Sequence, residues 1–205
     1  DVDILVELPS NLFDHYNNLS GNGQSRLLQA VRNAILNVYP RSDVRADGQV
    51  IKISFSDGMR FEIVPTFKSI YGGYKYPNTN CGGKWESTNP KAEQEAMAEK
   101  NRSSNGLLYD TCRHIRYIRD NYFSSYHLSG IVIDSFVYEA IGNWRWLNSG
   151  ESSSSPSGTY EQVLLNYYNQ HGICYGVSIN APGSNDTVST ASSYECLGKV
   201  LRYMI

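Results

Sequence analysis

Between Val2 and Leu8 the chain alternates, with Val2, Ile4, Val6 and Leu8 on one face and Asp1, Asp3, Leu5 and Glu7 on the other. This is the period of a half-buried strand, and Pro9 ends it. From Gln24 to Tyr39 the spacing lengthens. Leu27, Leu28, Val31, Ala34, Ile35 and Val38 recur at three- and four-residue intervals, which predicts an amphipathic helix closed by Pro40. In "GQVIKISFSDGMRFEIVPTF" two strand-like runs, 49–55 and 59–66, flank Asp57-Gly58, a pair that accepts the positive φ angles of a tight turn. An antiparallel hairpin follows, with Phe61 and Ile63 on one face of its second strand and Glu62 and Val64 on the other.

Residues 68–90, rich in Gly, Tyr, Asn and Pro, predict an extended, ordered segment rather than a helix. Helical periodicity then covers 91–101, 105–123, about 129–147, 160–171 and 191–203, interrupted by a Ser-rich loop at 148–158. No internal repeat is visible. Strands in the first third and helices beyond it predict an α+β chain, divided into a core at 1–100 and a helical lobe at 101–205.

Composition changes this picture little. A chain of 205 residues can bury a core without metals or disulfides, and 18 basic against 20 acidic residues give a net charge of −2, with no global field for nucleic acid. No apolar run approaches the roughly 18 residues of a membrane span, and no basic region followed by an apolar core opens the chain. The expectation is a soluble cytoplasmic protein with no membrane partner. Cys81, Cys112, Cys174 and Cys196 show no ligand spacing and read as reduced thiols. The sixteen tyrosines could suit base stacking, but without positions on a fold they read as half-buried packing residues.

The acids carry the chemistry. Asp1 and Asp3 project to one side of a strand, roughly 6–7 Å apart at the backbone, where unneutralised charges repel. A hard divalent cation, Mg²⁺ or Mn²⁺, removes that cost. If the hairpin strand lies beside the first strand, Glu62 adds a third carboxylate and a two-metal phosphoryl-transfer site becomes plausible. The structural alternatives stay open: aspartates at an exposed strand end, and for Glu62 an edge position or a salt bridge to Arg60 or Lys52.

With these residues in view, "DVDILVELP", "DGMRFEIVPTF" and "KWESTNPK" together resemble the bacterial cyclic-oligonucleotide synthases. These are the cyclic GMP–AMP synthase-like and oligoadenylate synthase-like members of the DNA polymerase β-like nucleotidyltransferases. The likeness is strongest over 1–91 and weaker at "IDSFVYEAI". It implies a polymerase β-like core with a mixed or antiparallel sheet and a mainly helical lobe after it. It makes Asp1 and Asp3 the paired metal ligands and Glu62 the third acid, which helps to activate the acceptor hydroxyl. Ser135 matches a serine that contacts the triphosphate, and Arg116 falls near a basic residue, often lysine, that approaches the same phosphates.

Two departures stand out. Relatives more often carry Asp where this chain has Glu62, and they place a Gly-Ser phosphate clamp about ten residues before the paired aspartates. This chain begins at the aspartates, so an N-terminal truncation is expected. Gly183-Ser184 in "APGSND" reads as a turn rather than a relocated clamp. Lys84 and Trp85 are candidates for holding a phosphate or base, with Trp85 as a core anchor and Asn89-Pro90 as a helix start on the other reading. One of Tyr71, Tyr74 and Tyr76 could stack a base; His15, His114, His127 and His171 have no metal spacing; and Arg113, Arg116 and Arg119 form a basic stripe that is either solvated or phosphate-facing.

The resemblance implies NTP substrates and Mg²⁺ (or Mn²⁺), a cyclic or short linear oligonucleotide product with release of pyrophosphate, a role in anti-phage signalling, and a regulatory protein or nucleic-acid activator as partner. A second reading sends the nucleotide to an RNA end, a protein or a small molecule. A third is a non-catalytic nucleotide-binding module.

Overall fold

The computed structural model of the chain describes residues 2–153 and 159–205. They form two compact units, Asp1–Asn89 and Pro90–Ile205. The division expected at 100/101 falls inside a helix that belongs to the second unit.

In the first unit, β1 (Val2–Glu7), β2 (Asp43–Asp47), β3 (Val50–Ser54), β4 (Arg60–Lys68), β5 (Tyr74–Asn78) and β6 (Lys84–Thr88) make one mixed sheet. The order is β2-β3-β4-β5-β6, and β1 adds to β4 in parallel while every other pairing is antiparallel. The turn between β3 and β4 uses Gly58 at φ +90°, as the Asp-Gly pair predicts. Register lines up rows of side chains across the strands. Ile4, Ile63, Ile51 and Ala46 form one row, and Val2, Phe61, Ile53 and Val44 form another.

Both rows face helix α2 (Gly23–Val38), which buries Leu28 against Val44, Ile51 and Ile53. Asn22 caps that helix by accepting from the Ser25 N–H at 2.8 Å. Helix α1 (Asn11–Asn17), which the sequence pattern does not announce, brings Phe13 to within 4.9 Å of Trp85 and 5.4 Å of Phe67.

The segment expected to be merely extended is a hairpin, β5 against β6. Its sequences "YKYPN" and "KWEST" lack apolar alternation because polar groups hold it. The Glu86 carboxylate accepts from Tyr76 Oη at 2.9 Å, Asn78 Nδ2 at 3.0 Å and Gln49 Nε2 at 3.1 Å, and pairs with Lys84 Nζ at 2.7 Å. Lys84 first, then Asn78 and Tyr76, hold this carboxyl below the ordinary range. Glu86→Gln is therefore expected to destabilise the unit by about 1–3 kcal/mol at pH 7. Because the folded value is depressed, that difference is full above the unfolded carboxyl value of about 4.3 and closes as pH falls through Glu86's own folded value. Urea unfolding of both proteins at pH 7 and pH 3 checks this, and an equal gap at both would contradict it.

The second unit contains α3 (Pro90–Ser103), α4 (Leu107–Tyr122), α5 (Gly130–Ala140), α6 (Tyr160–Gln170) and α7 (Tyr194–Tyr203), with a two-stranded ribbon of β7 (Ile179–Asn180) and β8 (Thr187–Val188). Pro90 opens α3, where its missing N–H costs nothing. Helix α5 is apolar nearly all round and sits in the core, burying Val132, Ile133, Phe136, Val137 and Ala140. Its expected extension to 147 does not occur. Gly142 takes φ +54° just past the last turn, the left-handed ending that glycine favours.

The "APGSND" segment is a turn, with Asn185 N donating to Ala181 O at 3.1 Å. A Cβ at Gly183 would lie 2.5 Å from Ala92 O, so glycine alone lets this turn approach α3. The four cysteines form no disulfide, and burial pushes the Cys112 thiol up to about 12. Part of the Ser-rich loop, 154–158, lies outside the described residues.

Candidate functional site

The face of the sheet away from α2 carries the acids. Asp3 on β1 is the register partner of Glu62 on β4, Glu62 is the partner of Lys52 on β3, and Lys52 is the partner of Arg45 on β2. Adjacent strands lie about 4.7–4.9 Å apart, so Asp3 and Glu62 are side-by-side neighbours on one face. Asp3 is exposed and Glu62 half-buried. Since β4 is flanked by β1 and β3, Glu62 does not occupy an edge strand.

Of the structural roles open to Glu62, a loose ion pair is present, with Lys52 Nζ 3.7 Å from its Oε1. Lys52 lies closer to Asp47 Oδ2, at 2.7 Å, and that hydrogen bond is the main reason its ammonium is held above the ordinary lysine value. Lys52, Ser54, Arg60 and Glu62 border a shallow hollow of about 230 Å³.

Asp1 lies outside the described residues. Among the described residues no group of three or more His, Cys, Asp or Glu side chains is gathered closely enough to hold a metal. Asp3 and Glu62 still suit one. Both are oxygen donors; among the described residues the Asp3 carboxylate has no hydrogen bond or ion pair, and the ion pair to Glu62 is loose. That donor set fits a hard cation of the Mg²⁺ kind, which takes one or two carboxylates and completes its shell with water and phosphate.

Arg116, on α4, is one-third exposed and already engaged. Its Nη2 donates to both oxygens of Asp134 at 2.8 Å, and Nη1 to Cys112 O at 3.3 Å. With Arg113, Tyr109, Glu93 and Asp134 it lines a cavity of about 410 Å³ in the helical unit. Burial first pushes the Glu93 carboxyl above its ordinary value, against a hydrogen bond from Ser184 Oγ at 3.1 Å. The stripe is neutralised by acids, Arg113 by Asp110 and Arg119 by Asp120.

Ser135 lies on the inward face of α5, fully buried, and its Oγ has no hydrogen-bond partner among the described residues. A phosphate reaches that hydroxyl only if the surrounding core parts. Lys84 is exposed and paired with Glu86. Trp85 packs on Phe13 and Phe67, with its Nε1 donating to Asn17 Oδ1 at 3.0 Å, so it anchors α1 to the sheet. Tyr71 is exposed, and the Tyr76 hydroxyl serves Glu86. His171 stacks on Tyr167 and His15 meets the Tyr16 ring edge-on, with no metal geometry among the described residues. The partners Asp47 and Asp134 escaped sequence reasoning, because a strand register or a helix pairing at a separation of 18 residues leaves no spacing signal.

Compared with known proteins, residues 1–101 match the family described as Second Messenger Oligonucleotide or Dinucleotide Synthetase domain. A probable cyclic nucleotide synthase of Bacillus cereus (strain VD146) is 25% identical over 195 residues, a match covering 85% of this chain and 58% of that protein. The chain thus spans somewhat more than half the length of this curated relative. Among solved structures, the CdnE cyclic dinucleotide synthase of Elizabethkingia meningoseptica, with GTP and Apcpp, superposes at a TM-score of 0.61 and 17% identity, over 100% of this chain and 76% of that one. The DncV cyclic AMP-GMP synthase of Vibrio cholerae, in complex with a linear intermediate, superposes at 0.60 and 13% identity, over 98% and 54%. These likenesses show that the chain shares the fold of those synthases, a mixed sheet followed in the chain by helices.

Proposed function

We propose that the chain, whose residues 1–101 match the Second Messenger Oligonucleotide or Dinucleotide Synthetase domain family, is a nucleotidyltransferase related to the bacterial cyclic-oligonucleotide synthases and joins NTPs into a cyclic or short linear oligonucleotide messenger. The observation that carries the proposal is the register pairing of Asp3 with Glu62, two carboxylates side by side on neighbouring parallel strands of this unit.

In the proposed reaction the 3′ or 2′ hydroxyl oxygen of one nucleotide attacks the α-phosphorus of a second. The bond to the β,γ-phosphate breaks, and pyrophosphate leaves. Asp3 and Glu62, with Asp1 as the third ligand, would hold Mg²⁺ or Mn²⁺, and a cation there supplies charge neutralisation at the phosphates and acidifies the attacking hydroxyl. Glu62 accepts the hydroxyl proton on a carboxylate oxygen and passes it to water. Its side chain is one methylene longer than the aspartate usual among relatives, and its half-buried place on a central strand limits how far it swings.

Arg116 is proposed as a phosphate-facing group, oriented by Asp134, and it can offer a forked donor where relatives often use a lysine. Lys84 and Ser135 are weaker candidates, given a rival carboxylate for the first and full burial for the second. No helix among the described residues is long and apolar enough to cross a membrane. A cytoplasmic site of action, a regulatory protein or nucleic-acid activator, and a role in anti-phage signalling belong to the same proposal, on the likeness alone.

Incubation of the full-length protein with Mg²⁺ and α-³²P-labelled NTPs tests it. The expected product is a small, phosphatase-resistant labelled species. Label on RNA or protein would favour the second reading of the sequence, and no turnover would favour the non-catalytic one.

A further inference from the structure

A cation already sits in the acidic row, and we infer that this group, the Lys52 ammonium, is a positioning residue that competes with the divalent ion for Glu62 and is held aside from it by Asp47. The inference rests on the reading that Asp3 and Glu62 hold that ion.

The geometry is asymmetric. Lys52 Nζ is 2.7 Å from Asp47 Oδ2, a charge-assisted hydrogen bond, and 3.7 Å from Glu62 Oε1, which is attraction without a bond. Register explains both distances. Lys52 is the direct partner of Glu62 across β3 and β4, while Asp47, two residues beyond Lys52's own partner Arg45 on β2, lies diagonally within reach of a four-carbon stem. Arg45 cannot take the same role, since its guanidinium is tied to Asp43 at 2.9 Å. The charged groups around the ammonium are therefore Asp47 and Glu62 in contact, with Asp3, Arg45 and Arg60 further along the same face.

This arrangement has two consequences of opposite sign. Without a divalent ion, Lys52 offsets part of the repulsion between Asp3 and Glu62. With one bound, a single positive charge beside a doubly positive ion is unfavourable, and the Asp47 hydrogen bond is what keeps the ammonium off the Glu62 oxygens. Removing Lys52 should thus tighten ion binding. Removing the charge of Asp47 should release Lys52 onto Glu62 and weaken it. The groups are exposed, so each change is modest, about two- to five-fold, and shrinks with added salt.

The test is Mn²⁺ titration of the full-length protein without nucleotide, with free Mn²⁺ read from its paramagnetic resonance signal. Lys52→Met is expected to bind about two- to five-fold more tightly than wild type and Asp47→Asn correspondingly more weakly, with the double variant following Lys52→Met. A merely structural role for Lys52 would move both single variants in the same direction, together with their melting temperatures, and would overturn the inference. If wild type binds Mn²⁺ and Glu62→Gln weakens it, yet Lys52→Met binds no more tightly than wild type, the inference fails while the metal reading stands. Absence of Mn²⁺ binding, or binding unaffected by Glu62→Gln, overturns the metal reading itself.

Discussion

Asp3→Asn is expected to reduce nucleotide joining by roughly a thousand-fold while leaving the melting temperature unchanged or slightly higher. The two halves of this result have separate causes. Asp3 is exposed on β1, packs into no core cluster, and its carboxylate makes no hydrogen bond or ion pair among the described residues, so its charge contributes nothing evident to folding. It stands beside Glu62, so neutralising it relieves repulsion. On the proposed function, the loss of activity follows from losing a ligand to the cation, whose stabilisation of developing charge would be worth several kcal/mol, each 1.4 kcal/mol or so being tenfold in rate. Initial rates with labelled NTPs and a thermal melt of the same preparation check both halves. Loss of activity accompanied by a large fall in melting temperature would mean that Asp3 acts through the fold.

Phe136→Ala is expected to have the largest effect on stability, about 3–5 kcal/mol, enough to unfold the helical unit or leave it marginal. Phe136 is fully buried in α5, a helix enclosed by its neighbours, with the Tyr167 ring 6.1 Å away. Nothing nearby is free to fill the space, since Ile133, Val137, Ile141 and Leu164 are themselves fully buried. Chemical denaturation of the variant reads the loss directly. A cost below about 1.5 kcal/mol, the range of well-tolerated volume changes, would show that the core relaxes around the gap. Together the two substitutions separate the carboxylate row, which carries charge and little stability, from the helical core, which carries stability.

What the sequence disclosed and concealed follows the same division. Helix α2 was legible because one apolar face repeats along its length, and the β3–β4 hairpin because Asp57-Gly58 punctuates two alternating runs. The β5–β6 hairpin was not, since its strands are held by the Glu86 network rather than by apolar alternation. Helix α5 read too long because Trp144, Trp146 and Leu147 continue an apolar pattern that the backbone at Gly142 has already ended.

At the site, alternation alone placed Asp3 and Glu62 each on a face. That β1 lies against β4 in parallel, at a separation of 59 residues between the two acids, was beyond pattern: the sequence raised the adjacency only as a condition, and the resemblance implied only that the acids share a site. Ser135 illustrates the opposite limit. Its motif position invites a phosphate contact, and only burial reveals that its hydroxyl points into the core. The Lys52–Asp47 contact needed both the register of β2 against β3 and the reach of a side chain, neither of which a sequence pattern encodes.

The central claim is that Asp3 and Glu62 form a cation-dependent nucleotidyl-transfer site. Pyrophosphate release by the full-length protein from a mixture of the four NTPs tests it most directly, measured with and without Mg²⁺ and in the Asp3→Asn variant. The account predicts release that requires Mg²⁺, is abolished by chelation, and falls roughly a thousand-fold in the variant. Release that persists undiminished in Asp3→Asn, or no release from the wild-type protein with Mg²⁺ and every NTP present, would contradict it.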